Sequence, residues 1–176
     1  VLRRQMLRPY RKPLIVPLSK RLLKAKEAAS DINDLINGGF KTVIGEVDAN
    51  IDAKKVKRVV VCAGQVYYDL INARREYDAN EVAILRLEQL YPFPTDTFRE
   101  ELSKFPAAKE VMWVQEEPRN QGAWLQIRHR LEAGLGPKQT LTYAGRVSSA
   151  SPAVGYMSKH VAQLKAFLEE AMTLKK

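Results

Sequence analysis

Short apolar runs, separated by polar or Gly- and Pro-rich breaks, set out the elements of this chain before any other property is consulted. Leu2 to Leu7 reads as the tail of a helix stopped at Pro9, which suggests a piece of something longer, and Pro13 to Leu18 reads as a strand. Ser30 is placed to cap a helix over Asp31 to Asn37, in which Ile32, Leu35 and Ile36 share a face. Gly38-Gly39 ends it. Thr42 to Ile44 and Lys57 to Cys62 follow as strands, with the polar stretch Asp48 to Lys55 as a loop between them.

From Gly64 the pattern turns βαβ-like. Val66, Tyr67, Leu70, Ile71 and Arg74 mark one face of a helix ending near Tyr77, and Val82 to Leu87 is the next buried strand. Gln89 to Pro94 is a turn with two prolines, after which Thr95 can cap a helix through Phe105. Glu110 to Gln115 is a strand, Asn120 to Leu131 a helix with Trp124, Ile127 and Leu131 on one side, and Thr140 to Ala144 a short strand. A final helix from Tyr156 to Leu174 repeats an apolar face at Val161, Leu164, Leu168 and Met172, a stripe read as core packing. Alternation at this spacing predicts an α/β fold with a mostly parallel sheet and helices on both faces, hence three layers.

Charge changes the picture in one place. The net charge is +9 over 176 residues. Residues 1–26 hold Arg3, Arg4, Arg8, Arg11, Lys12, Lys20, Arg21, Lys24 and Lys26 without a single acid, so the remainder is balanced. A basic leader can grip nucleic acid or an acidic membrane. Here Leu14, Ile15 and Val16 interrupt the charges and Tyr10 is the only aromatic, which favours a basic inter-domain or subunit surface over a stacking platform. No apolar run reaches the roughly 20 residues of a membrane span. The one cysteine, Cys62, excludes an internal disulfide and reads as a buried, inert thiol in a reducing compartment. Neither His129 nor His160 stands in a metal or catalytic frame.

The segment Trp113 to Trp124, WVQEEPRNQGAW, carries the most chemistry. Val111 to Val114 is the apolar run of a strand buried on both faces, and it leads into Glu116, Glu117, Pro118, Asn120 and Gly122. In open α/β sheets ligands and partner surfaces gather outside the carboxyl ends of strands, where these carboxylates fall. The alternative is a surface loop with solvated acids. Adjacent on an extended backbone, Glu116 and Glu117 diverge and make a poor acid and base pair.

Three long motifs occur in order: RLEQLYPFP at Arg86 to Pro94, VQEEPRNQGAW at Val114 to Trp124, and YAGRVSSASPAVGY at Tyr143 to Tyr156. With VLRRQ at Val1 to Gln5, KPLIVPLSKRLL at Lys12 to Leu23 and CAGQVYYDL at Cys62 to Leu70, they closely resemble the carboxyl-terminal region of the thiamin-diphosphate-dependent 2-oxoglutarate dehydrogenases, over essentially the whole chain. The resemblance implies a transketolase C-terminal-domain-like fold for residues 38–176, with residues 1–37 as the tail of the preceding pyrimidine-binding module and a linker. It implies, for a full-length enzyme, oxidative decarboxylation of 2-oxoglutarate with succinyl transfer to lipoyl groups in the tricarboxylic acid cycle. Thiamin diphosphate and magnesium would be bound by earlier modules across a homodimer, so no catalytic, cofactor or metal residue is carried over to this chain.

The implied partners are the rest of the polypeptide, a second copy, and the dihydrolipoyl succinyltransferase and dihydrolipoyl dehydrogenase components, with neither nucleic acid nor membrane. The implied setting is a bacterial cytoplasm, or a mitochondrial matrix in a eukaryote. Glu116, Glu117, Asn120 and Gln121 are candidates for bonding a neighbouring module or subunit, and Arg146 for pairing with an acid there; each also reads as a local turn stabiliser. Family members bind nucleotide-type effectors near this module, AMP in some and acetyl-CoA in actinobacterial ones. Gln89 and Thr42 match positions of the acetyl-CoA pocket, but Asp96 and Thr97 stand where those members carry paired arginines, which removes the bidentate phosphate contacts. Two other readings stay open: the same module of a 2-oxoadipate dehydrogenase, and a free-standing basic binding module.

Overall fold

A computed structural model describes residues 1–174. The chain divides into two compact units, Val1–Lys41 and Thr42–Lys176. The first contains the short helices α1 (Leu2–Met6) and α2 (Ile32–Ile36), with single 3-10 turns at Leu22–Lys24 and Lys26–Ala28 between them. None of these elements buries a residue. The strand expected over Pro13 to Leu18 does not form: the segment has no ladder partner, and Pro13 and Pro17 each lack the N–H that one would need. Asp31 rather than Ser30 caps α2, its Oδ1 accepting from the Asn33 N–H at 2.8 Å. Apolar Ile32, Leu35 and Ile36 are all exposed.

The second unit is a five-stranded sheet between two pairs of helices. Its elements are β1 (Val43–Ile44), β2 (Arg58–Cys62), α3 (Val66–Glu76), β3 (Val82–Leu87), α4 (Thr95–Ser103), β4 (Glu110–Pro118), α5 (Trp124–Gly134), β5 (Thr140–Arg146) and α6 (Met157–Met172). Strand order is β1-β3-β2-β4-β5, parallel except for β1, which runs antiparallel to β3 at the edge. Because side chains alternate along a strand, each central strand feeds two cores. Val59, Val61, Leu85, Val111 and Trp113 meet Phe98 and Leu102 of α4 and Ile127 and Leu131 of α5. Val60, Cys62, Ile84, Met112 and Val114 meet Leu70 of α3 and Phe167 and Ala171 of α6 on the other face. Fully burying one such side chain contributes about 2 kcal/mol, so the two cores dominate the stability of the unit.

Element ends depart from expectation where capping differs. Thr95 is the first residue of α4 rather than its cap, and that helix stops at Ser103, short of Phe105. α5 begins at Trp124 instead of Asn120. On α6 the buried face is Phe167, Ala171 and Met172 with Leu164 and Leu168 partly buried, while Val161, assigned to that face from the sequence, is exposed. The final residue expected in that helix, Leu174, lies beyond its end.

Two buried arginines tie the helices to the sheet. Arg58, at the start of β2, shares Nη1 among the carbonyls of Glu170, Ala171 and Thr173 at 2.8 to 2.9 Å and donates from Nε to Glu110 Oε2 at 2.8 Å. These are the carbonyls a helix leaves unpaired at its C-terminus, so a strand residue caps α6. Arg74 of α3 pairs with Glu46 at 2.5 Å and Asp48 at 3.2 Å. Glu46 Oε2 also accepts from the Ile84 N–H at 2.8 Å, satisfying the edge of β3 where the two-residue β1 has ended.

Candidate functional site

All three long motifs converge on the carboxyl ends of the parallel strands. The connection after β2 leads through α3 to β3, and the connection after β4 leads through α5 to β5 on the opposite side, so the switch point of the sheet lies between the ends of β2 and β4. Gln65, at the N-terminus of α3, bridges this point: its Nε2 donates to both carboxylate oxygens of Glu116, at 2.8 and 3.0 Å. Pairing of β4 with β5 runs regularly to Gln115 and Gly145, then resumes at Pro118 and Arg146. Glu116 and Glu117 occupy that irregular step. Glu116 is partly buried against Gln65 and Glu117 is exposed, so the two carboxylates have separate surroundings.

Gln115 organises the loop from beneath. It is buried, and its Oε1 accepts from Trp113 Nε1 at 2.9 Å and from the Trp124 backbone N–H at 3.0 Å. The second bond satisfies one of the orphan amides at the start of α5, a cap supplied from a strand nine residues earlier. Its Nε2 is shared among the carbonyls of Glu117, Pro118 and Gln121 at 3.3, 3.2 and 2.8 Å. Gly122, with φ +65, lets the chain turn back over this amide, where a Cβ would sit 3.0 Å from Gln115 Nε2.

The remaining candidates are held within the same end of the sheet. Asn120 and Ser149 exchange two hydrogen bonds at 3.0 Å, and Gln121 Nε2 donates to the Ser149 carbonyl at 2.9 Å. Arg146 is buried at the end of β5, where Nε donates to the Glu116 carbonyl at 2.8 Å, Nη1 to Gln163 Oε1 at 2.7 Å and Nη2 to His160 Nδ1 at 3.1 Å. Within this chain its donors meet a carbonyl, an amide and an imidazole rather than an acid. The Thr42 carbonyl accepts from the N–H groups of Glu88 and Gln89, and Gln89 Nε2 donates to the Pro92 carbonyl at 2.7 Å, so these two candidates lie together at the end of β3. Asp96 and Thr97 occupy the first turn of α4.

Electrostatics at this end follow burial. The Tyr143 hydroxyl is pushed up to about 12, chiefly by burial, against the opposing pull of the Arg119 guanidinium over its ring. Burial pushes the Cys62 thiol well above its ordinary value, with Arg86 opposing, which keeps it protonated and unreactive. Arg86 lies over the Tyr67 ring at 4.4 Å and 2.5 Å from Glu88; burial alone would lower its pKa, but Glu88 and the two tyrosines raise it. Among the described residues no three His, Cys, Asp or Glu side chains converge to hold a metal ion. Also among the described residues, no helix is long and apolar enough to cross a membrane.

Sequence reasoning reached Glu116, Asn120, Gln121 and Arg146 but missed Gln65, Gln115 and Ser149, which bind them. A signal for Gln115 was present: a lone amide ending a fully buried strand, two residues after a tryptophan whose N–H needs a partner.

A mostly parallel sheet covered on both faces, with its motif loops gathered at the carboxyl ends of its strands, defines an α/β domain of the transketolase C-terminal type. The chain belongs to the 2-oxoglutarate dehydrogenase C-terminal family, which it matches over residues 29–172. It is 52% identical over 171 residues to the 2-oxoglutarate dehydrogenase E1 component of Cupriavidus necator, covering 97% of this chain and 18% of that protein. Against the protein of the same name from Haemophilus influenzae it is 50% identical over 173 residues, covering 98% of this chain and 18% of the relative. The Coxiella burnetii counterpart is 48% identical over 176 residues, with 99% and 19% covered. The chain thus spans less than a fifth of the length of these relatives.

Proposed function

We propose that this chain is the carboxyl-terminal module of the E1 component of a bacterial, cytoplasmic 2-oxoglutarate dehydrogenase, and that it serves packing within the enzyme rather than catalysis. In this reading residues 1–37 are the tail of the preceding module and a linker, and residues 38–176 are the C-terminal domain. The observation that carries the reading is the way the motif residues are engaged. Gln65, Gln115, Asn120, Gln121 and Arg146 bond to carbonyls, carboxylates and amides of their own module, building a rigid surface rather than presenting unbonded acids and bases. Leu90, Tyr91, Val147, Tyr156 and Met157 are exposed on the loops of that surface or just beyond them, as apolar anchors for a second module or a second subunit.

Thiamin diphosphate would supply the electron sink for decarboxylation in the whole enzyme, with magnesium on its diphosphate. The residues described here do not fit that group: no acidic or imidazole cluster suits the metal, and the sequence has no glycine-rich phosphate loop. The other proposed partners are a second copy of the polypeptide and the dihydrolipoyl succinyltransferase and dihydrolipoyl dehydrogenase components. For effectors, Asp96 and Thr97 in the first turn of α4 place an acid where paired arginines would meet a phosphate. Acetyl-CoA binding should therefore be weak or absent by calorimetry, and a tight, saturable titration would contradict this. The functional test is 2-oxoglutarate-dependent, thiamin-diphosphate-dependent reduction of an artificial electron acceptor. Activity is expected from the full-length product and none from this chain alone. Turnover by this chain alone would overturn the proposal, and a full-length product active only on 2-oxoadipate would reassign the substrate.

A further inference from the structure

We infer that the opposite end of the sheet carries a docking groove for an extended acidic peptide with apolar side chains between its carboxylates. At the amino ends of the parallel strands lies a hollow of about 390 Å³ lined by Lys54, Lys55, Lys57, Glu81, Ala107 and Lys109. A second hollow of about 610 Å³ shares Ala107 and Lys109 with it, so the two lie side by side. The second has apolar walls where Pro106, Ala107 and Pro137 are exposed and Leu135 partly so, over the buried Leu102, Phe105 and Ala108, and its cationic groups are Arg99, Lys109 and Lys138.

The charge here is not balanced as it is elsewhere in the unit. One residue up the strands, Arg58 of β2 faces Glu110 of β4 as a bonded pair. Just before the two strands begin, Lys57 lies beside Lys109, whose N–H donates to the Lys57 carbonyl at 3.2 Å, a like-charge neighbour of the kind that paired strands avoid. Lys57 pairs with Glu81 at 2.6 Å and exposed Lys55 with Asp52 at 3.7 Å, but Lys54 and Lys109 form no ion pair among the described residues. Yet from Thr42 onward the chain has 19 Lys and Arg against 17 Asp and Glu, so the excess is local rather than general.

The surroundings select a peptide over a compact phosphate. α4 and α5 end here at Ser103 and Gly134, so the helix termini near the groove present carbonyls, not the N–H groups that cradle phosphate. Arg99 already donates to the Ala133 carbonyl at 2.6 Å. What remains is a set of separated ammonium groups beside a hollow with apolar walls, which matches carboxylates spaced along a chain whose apolar side chains enter the hollow.

The test uses the 176-residue chain and a fluorescein-labelled decapeptide of alternating Glu and Leu, read by anisotropy. Saturable binding is expected, weakening several-fold between roughly 50 and 300 mM salt as screening of exposed charges requires. Replacing Glu by Gln in the peptide, or Leu by Ser, should each weaken binding by about tenfold or more. So should Lys54→Glu combined with Lys109→Glu, with unfolding midpoints unchanged, whereas Arg128→Glu on the exposed side of α5 should have no effect. Absence of saturable binding, or binding indifferent to the Lys54 and Lys109 reversal, would overturn the inference. It would also fail if tripolyphosphate displaced the peptide while the Leu to Ser change had no effect, because the site would then be one for small anions.

Discussion

Gln115 shows how one buried amide sets the geometry of a whole loop. Five groups bond to it, from the indole of Trp113 to the first turn of α5, and the bonds to Trp113, Pro118 and Trp124 are buried. Gln115→Ala should cost about 3 kcal/mol in urea unfolding, because it leaves several buried donors and acceptors unpaired; a loss under about 1 kcal/mol would contradict the role assigned to it. Tyr143 gives a pH dependence of definite sign. Its hydroxyl is raised from the ordinary 10 to about 12 in the folded chain, so the unfolded chain releases this proton first. The contribution is fully present below pH 10 and is lost as pH rises from 10 toward 12. Tyr143→Phe should accordingly flatten the fall in stability over that range, and an unaltered slope would speak against it. At this scale the sequence announced the exposed acids and amides but hid their partners. Gln65 and Glu116 are 51 positions apart, and Asn120 and Ser149 are 29 apart, distances at which no local pattern speaks.

Elements were legible where burial on both faces made a strand continuously apolar. β2 and β3 lie where their Val- and Ile-rich runs placed them, since nothing competes with such a run for the sheet interior. Ends were legible only where the cap is local. α5 starts four residues later than its periodicity suggests because Gly122 turns at φ +65, outside the helical region, and Gln115 then caps the Trp124 N–H. The apolar run Leu14 to Val16 forms no strand because a strand exists only against a neighbour. The end of α6 is fixed by Arg58, more than a hundred residues away, through the carbonyls of Glu170, Ala171 and Thr173. Arg58→Met keeps an unbranched stem but is shorter, and it removes every side-chain hydrogen bond of the guanidinium. It should cost about 2 to 4 kcal/mol, leaving Glu110 with its bond from the Thr142 hydroxyl but without its cation, and should speed amide exchange selectively in the last turns of α6. Protection lost evenly across the unit would show instead that α6 and the sheet open together.

As a whole molecule, the unit from Thr42 onward presents two unlike ends. The carboxyl end of the sheet carries rigid, internally bonded motif loops with exposed apolar residues, and the amino end carries the lysine groove. The fold class could be read from the alternation of elements, and the family from its three long motifs. The groove could not, because Lys54, Glu81 and Lys109 come together only once the sheet has formed. In the proposed function, the motif end docks onto the remainder of a 2-oxoglutarate dehydrogenase polypeptide and contributes structure, not chemistry. The most direct measurement is to co-express this chain with the separately encoded upstream remainder of the same gene and assay acceptor reduction with 2-oxoglutarate. The remainder alone is expected to be inactive or unstable, the two pieces to co-purify, and activity to return on association. Full activity of the remainder without this chain, or no association between the pieces, would contradict it.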